Sequence, residues 1–577
     1  MFKKNEEYKQ YDLFDLTFLL SDKQNNLLSN SIEHSFLVNI FSRINENDFK
    51  ELYSNKKSRP NVPVNQLVGS LILKHLFNWT YNDLFRNLNF NILTRYAIGI
   101  NSIEENVFSE ATIFNFQNKI INHYVNTGQD LLTEVFDHLT AEQLVEFNIK
   151  ADIQRGDSFL MGSNIFDYTR LQLLIEVLLR LYRSVEETDK AALIDIIRDY
   201  TKQTSGQYIY KIEKENLPKE IEKLANIYHK IHLFLVERYS EKSAFMIFNR
   251  VYQEHFVIVE NKVEVIPSNE LNSSILMSPD DQDATYRYKR STGNKGSKGF
   301  SGHVSETANP KNDFNLITDI AVVPNNVDDA KILETRLPIM VDKTPTLNEY
   351  HSDGGYGSPK VDEIMEKESI IQIQNAIRGR KAFASFVIKE REPNEYWVSC
   401  EYGQIVKAQK ATKGKKAKRH KAVFDYYTCM SCPLSSKCRA KASGEKINRP
   451  IRTWYFSKEK IRLHKRQQNI NLIPKERKKI RANCEATIKE VKRGVKNGKV
   501  RIRGINRAIA YLSLTSIAVN LTRIHKYYEK NHRIICQNNG NHLNIHIIVD
   551  FILHNNCSKL IKVKLERFFK PLINNMA

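Results

Sequence analysis

The sequence predicts a multidomain α/β protein: a mixed sheet flanked by helices, behind a helical N-terminal domain. Three observations lead there. The chain has 577 residues, 41% hydrophobic and 10% aromatic, enough for a large core and two to four domains. Residues 1–150 carry helical periodicity, whereas residues 296–374 alternate strand-like and helix-like segments. The net charge is +21 and is concentrated in one block. Residues 401–500 hold 29 Lys and Arg against 7 Asp and Glu, a net +22, which leaves the other 477 residues at −1. A localised excess of this size points to a polyanion partner such as nucleic acid.

The elements follow in order. Pro63 sits near a helix start, ahead of Leu67, Leu71, Leu73, Leu76 and Phe77. Trp79 and Thr80 lead into a second helix with Leu84, Phe85 and Leu88, and Ser109 caps a third with Ile113, Phe114 and Phe116. Short helices with tight connections suit a DNA-binding or dimerising module, and equally a plain bundle. Residues 151–165 read as a strand containing Asp157, and about 166–245 as amphipathic helices that pack on each other. Residues 280–300 read as a polar Gly-rich loop. GFSGHVSETAN and LITDIAVVPNN read as strands and VDDAKILETRLPIM as a helix. TLNEYHSDGGYGSPKVDEIM reads as strand, Gly turn and helix, with Asp353 at the strand end, and ESIIQIQNAI as a further strand. The glycines after Asp353 would permit positive φ just beyond the carboxylate.

The N-terminus, MFKKNEEYKQYDLFD, lacks the apolar core of a signal peptide, which suggests a cytoplasmic, nucleoid-associated protein. The most apolar helix-like run, Leu171 to Leu181, is broken by Glu176 and Arg180 and is too short to span a bilayer. In a reducing compartment, clustered cysteines suggest metal before disulfides. Cys429 and Cys432 form a C-x2-C, with Cys438 downstream and Cys400 upstream. Four thiolates of this kind suit tetrahedral Zn²⁺; unligated thiols in a loop are the other reading.

In RANCEATIKEVKRGVKNGKVRIRG, residues 481–504, Glu485 stands in a field of positive charge. At helical pitch Arg481, Glu485, Lys489 and Lys492 fall on one face. A carboxylate framed by cations stays ionised and suits a divalent metal, while the cations suit phosphates. The plainer reading is a solvated helix with i,i+4 ion pairs from Glu485 to Arg481 and Lys489.

Asp157, Asp353 and Glu485 stand in order on a strand, a strand end and a late helix. QRGDS, YHSDGGYGS and R-x3-E-x6-K, in that order, resemble the bacterial insertion-sequence DDE transposases, whose core is RNase H-like. The resemblance covers most of residues 50–528, and LYSN…RPNVPVNQL with SEATIFNF matches the family's helical N-terminal domain. It implies that Asp157, Asp353 and Glu485 are the catalytic carboxylates and hold two Mg²⁺ or Mn²⁺ ions for phosphoryl transfer. Their carboxyl groups should then lie within about 4–8 Å of one another. Arg481 and Lys492 match basic positions around the family's Glu. Some members have a Tyr three residues before that Arg, where this chain has Lys478, so that Tyr's role is not carried over. The helical region after Asp157 interrupts the family's usual run of three adjacent strands.

The implied organisation is a DNA-binding or dimerisation domain at 1–150 and an RNase H-like core at 151–380 with its helical insertion. A basic Cys-bearing insertion at 381–475, closing helices at 476–530 and a tail at 531–577 follow. The implied function is DNA transposition, with metal-dependent cleavage at the element's ends and strand transfer into target DNA, acting as a dimer or higher assembly. Alternatives are a non-catalytic DNA-binding regulator on the same scaffold and a DNA nuclease without strand transfer. Double-stranded DNA is the expected partner, on a surface formed by residues 401–500. Lys413, Lys415, Lys416, Lys418 and Arg419, in the densest basic run, should meet its backbone, and Arg481, Lys489 and Lys492 should hold the phosphates nearest the metals.

Overall fold

The computed structural model describes residues 1–6, 8, 20–54, 56, 59–100, 102, 105–288, 296–374, 386–411, 419–443, 451–495 and 497–538. By internal contacts the chain divides into two units. One comprises Met1–Ala151, Asn309–Thr318 and residues from Ala510 on; the other comprises Asp152–Ala308 and Asp319–Ile509.

The first unit is helical: α1 (Asp22–Ser29), α2 (Ile32–Asn39), α3 (Val64–Leu76), α4 (Tyr81–Phe90), α5 (Ile92–Ala97), α6 (Glu110–Thr127) and α7 (Leu131–Glu146). Ser21, Ser31, Thr80 and Ser109 each cap a helix by accepting a backbone N–H. Pro63 immediately precedes α3 and offers no such side chain. The buried carboxylate of Glu46 accepts the N–H groups of Val64 and Asn65 instead, at 2.9 and 3.3 Å. Leu67, Leu71, Leu84, Leu88, Ile113 and Phe116 are buried, as their spacing predicts. Asn520 holds the 309–318 segment, accepting the Ile317 N–H at 2.8 Å and donating to its carbonyl at 3.0 Å.

The second unit begins with β1 (Ile153–Gly162). The helical insertion follows as α8 (Arg170–Ser184), α9 (Glu187–Thr201), α10 (Ser205–Tyr210), α11 (Leu217–Tyr239) and α12 (Ser243–His255), closed by a hairpin of β2 (Phe256–Val259) and β3 (Lys262–Val265). It has its own core, in which Leu174, Ile175, Tyr228, Leu235, Phe245 and Phe248 are buried. Then come β4 (Thr285–Tyr288), β5 (Gly296–Thr307), β6 (Ile317–Pro324), α13 (Asp329–Lys343), β7 (Glu349–Ser352), α14 (Pro359–Lys367) and β8 (Ile371–Gln374). The sheet runs β4-β5-β1-β7-β8, with β6 also on β5. β1 is antiparallel to β5 from Gln154↔Thr307 to Gly162↔Gly299, and parallel to β7, which is parallel to β8. The helical insertion therefore separates β1 from β5 in sequence but not in the sheet. This mixed sheet flanked by helices matches the RNase H-like core that the resemblance implies.

The Cys-bearing region is a β structure with its own core. β9 (Phe386–Glu392), β10 (Glu395–Cys400) and β11 (Ile405–Lys407) form one sheet. β12 (Gln409–Lys410), β13 (His420–Asp425), β14 (Lys441–Ser443) and β15 (Ile451–Phe456) form another, with α15 (Tyr426–Met430) between β13 and β14. Phe386, Val398, Phe424, Trp454 and Phe456 are buried together. Lys413, Lys415, Lys416 and Lys418 lie outside the described residues, and Arg419 is exposed beside β13.

The stretch around Glu485 is not one helix. After α16 (Lys458–Leu472), α17 (Lys475–Lys479) gives way to a 3-10 turn, Ile480–Asn483, before α18 (Cys484–Val491), and α19 (Ile505–Asn538) ends the described chain. Arg481 thus sits in the 3-10 turn rather than one α-turn below Glu485. The cause lies outside the segment: Arg155 donates to the Ile480 carbonyl at 2.8 Å, a carbonyl that a continuous helix would use itself. Among the described residues no helix is long and apolar enough to cross a membrane.

Candidate active site

β1 and β7 carry the two aspartates to one edge of the sheet. Their parallel register pairs Ile153 with Glu349 and Arg155 with His351. Continued by two residues, one past the end of β7, this register would set Asp157 beside Asp353. Gly156 makes this approach feasible. A Cβ there would lie 1.9 Å from the Tyr350 hydroxyl oxygen and 2.8 Å from Ser305 Oγ, so any side chain would have to displace these buried hydroxyls.

Asp157 is largely buried. Its Oδ1 accepts the Ser158 N–H at 2.9 Å, and its Oδ2 accepts from Arg481 at 2.7 Å. Burial pushes its carboxyl above the usual range, Arg481 and the Ser158 N–H pull it back, and the neighbouring charge of Asp353 pushes it up again. Asp353 caps the 3-10 turn Gly354–Tyr356, its Oδ1 accepting the Gly355 N–H. The expectation of positive φ in this turn fails: Gly354, Gly355 and Gly357 all keep other backbone conformations. Gly355 supplies space instead, since a Cβ there would lie 2.8 Å from Asp353 Oδ1.

Buried charge fastens the α18 segment onto β1. Arg155 donates to Glu306 at 2.7 Å as well as to the Ile480 carbonyl, and the other Glu306 oxygen accepts the Thr487 hydroxyl at 2.7 Å. Arg477 pairs with Glu349, which also bonds His351 at 2.6 Å. Cys484 is fully buried, and burial raises its thiol pKa. Glu485, the next residue, is exposed in the first turn of α18. The structure couples Asp157 to Asp353 and joins Asp157 to Arg481. It does not bring Glu485 into a hydrogen bond or ion pair with any of them. The Arg481–Glu485 pair of the solvated-helix reading is not formed, because Arg481 is engaged by Asp157. Lys489 is exposed, and Lys492 Nζ stands 6.0 Å from the Phe159 ring centre on β1.

Asp157 and Asp353 are hard oxygen donors of the kind Mg²⁺ and Mn²⁺ take. As placed, no group of three or more His, Cys, Asp or Glu side chains among the described residues is set to hold a metal ion. The same holds for Cys400, Cys429, Cys432 and Cys438, although all four line one cavity of about 280 Å³ with Phe386, Phe424 and Leu434. Gln404 donates to Cys429 Sγ at 3.4 Å, and burial raises that thiol's pKa.

Two transposase families match the chain. Residues 399–525 match the Transposase DDE domain, and residues 25–119 match the Transposase domain (DUF772). The matches support an insertion-sequence DDE transposase. No curated protein and no solved structure matches. The DDE match takes in Cys400, Cys429, Cys432, Cys438, Arg481 and Glu485; such a domain suggests a nucleic-acid-processing enzyme, and its family implies a DNA substrate and divalent metal. The sequence reading missed Arg155, Glu306 and Thr487, which hold α18 to β1, and Asp329, whose carboxylate accepts the Ser158 hydroxyl at 2.6 Å. Buried partners this far apart in sequence leave no local pattern. Ser158, inside QRGDS, was the one visible hint.

Proposed function

We propose that this transposase cuts DNA at the ends of its element and joins the 3′-hydroxyls to target DNA at a centre formed by Asp157, Asp353 and Glu485. What supports this reading is that β1 and β7 run parallel side by side, that the charge of Asp353 acts on Asp157, and that Arg481 of the DDE-matched segment donates to Asp157. Two divalent cations held by these carboxylates would supply Lewis-acid stabilisation and an activated oxygen nucleophile. The chain's own residues do the rest. Arg481 pairs with Asp157 and would be the cation nearest a DNA phosphate at this centre. Glu485, exposed on a helix fastened to β1, would be the third carboxylate of the donor set. Lys489 and Lys492 hold flanking phosphates, and Lys413, Lys415, Lys416, Lys418 and Arg419 bind backbone farther out. Holding two ends together requires a dimer or larger assembly.

Zn²⁺ on Cys400, Cys429, Cys432 and Cys438 is a narrower proposal, supported by the shared cavity and thiol chemistry. It requires the sulfurs to close on one point, and elemental analysis finding no zinc in the purified protein would dismiss it. The main reading is tested by incubating the full chain with its flanked element ends, target plasmid and Mn²⁺. Joined products are expected. Cleavage without joining would leave a nuclease, and end binding without either would leave a regulator.

A further inference from the structure

Asp329, the first residue of α13, stands at the same sheet edge, and its side chain is 14% exposed. Its carboxylate is spent on other elements rather than on its own helix. Oδ1 accepts the Ser158 hydroxyl at 2.6 Å, while the Ser158 N–H donates to Asp157 Oδ1 at 2.9 Å. Oδ2 faces Arg287 at 3.6 Å. A Cβ added to Gly355 would lie 3.1 Å from Asp329 Oδ2 and 2.8 Å from Asp353 Oδ1, so the two carboxylates flank one small gap. The Gly355 N–H in turn donates to Asp353. Asp329 therefore meets what supports each aspartate: Ser158, which holds Asp157, and the Gly355 turn, which holds Asp353.

We propose that Asp329 is a positioning residue of the cutting centre. It fixes Ser158 by a hydrogen bond and borders the Gly355 turn, so that Asp157 and Asp353 turn their oxygens toward a shared cation. This rests on the assignment of those two aspartates above. Partners that orient metal ligands carry about 10–100-fold in metal affinity when removed.

The test is Mn²⁺ binding to the full chain, read from the free Mn²⁺ signal by electron paramagnetic resonance, with thermal melting alongside. Asp329→Ala should weaken binding about tenfold. Asp329→Asn, whose amide oxygen still accepts the Ser158 hydroxyl, should recover most of that loss, and Ser158→Ala should weaken binding in the same direction. Asp157→Ala should lose it. If Asp157→Ala loses Mn²⁺ while Asp329→Ala binds it as the wild type does, the inference is overturned and the assignment of Asp157 stands. If Asp157→Ala binds Mn²⁺ normally, or the wild type binds none, the assignment fails and the inference with it. Should Asp329→Ala not fold, normal binding by Ser158→Ala is the overturning result.

Discussion

The central sheet and the Cys-bearing β region of the same unit are built on opposite terms. Around β1 charged groups are buried among apolar ones, and each of these charges is matched by a residue far away in sequence: Arg155 with Glu306, Asp157 with Arg481, Glu349 with Arg477. In the Cys-bearing region the interior is aromatic, with Trp454 stacked between Phe386 at 4.5 Å and Phe456 at 5.0 Å, and the four thiols lie beside a largely apolar cavity. Buried charge tolerates no missing partner, so it fixes where α18 lies on β1. Aromatic packing tolerates approximate volume and sets no such register.

The contrast breaks first at Arg155. Arg155→Ala should cost about 3–5 kcal/mol in chemical denaturation, because Glu306 stays buried without its partner. The double change Arg155→Met with Glu306→Leu should recover most of that loss. If the double variant were as unstable as the single, packing rather than charge would hold this segment.

The succession of strands and helices along the chain was legible in the sequence because alternating strands, the Gly turn at 354–357 and helical periodicity are local patterns, whereas the order of the strands in the sheet was not. The placement of Asp157 on a strand and of Asp353 just past a strand end was legible for the same reason, each lying in a short motif. The Arg155–Glu306–Thr487 chain was not, since its members lie on three elements with no shared motif. The helical pitch through Arg481 misled for a related reason: Ile480–Asn483 is a 3-10 turn, and its Ile480 carbonyl accepts from Arg155, a partner far away in sequence. The extra helices between β1 and β5 left the sheet order intact because they pack on themselves.

A smaller effect sharpens the strand pairing. Gly156→Ala should cost about 1–3 kcal/mol by overpacking against Tyr350. Tyr350→Phe in the same chain should relieve part of it, since the hydroxyl oxygen is the nearest atom. No relief would place the clash on Ser305 Oγ, the next nearest atom at 2.8 Å.

The smallest effect is a titration. His303 is buried between the Tyr356 hydroxyl at 2.9 Å and Ser305 Oγ at 3.1 Å. Burial pulls its pKa down to about 4, with Asp319 and Asp329 opposing and Arg336 adding to the fall. A folded value below the unfolded one means that stability is present above about pH 6.5 and is lost as pH falls toward 4. The slope contributed is about 1.4 kcal/mol per pH unit at most. His303→Gln should flatten denaturation midpoints across that window, and an unchanged slope would assign the acid sensitivity elsewhere.

The central claim is that Asp157, Asp353 and Glu485 act as one metal-dependent centre. Its most direct measurement is Mn²⁺-dependent cleavage of element-end DNA by the full chain and by Asp157→Asn, Asp353→Asn and Glu485→Gln, with end binding measured in parallel. All three variants should bind the ends and cut none of them. Cleavage at the wild-type rate by any one of the three would contradict the account.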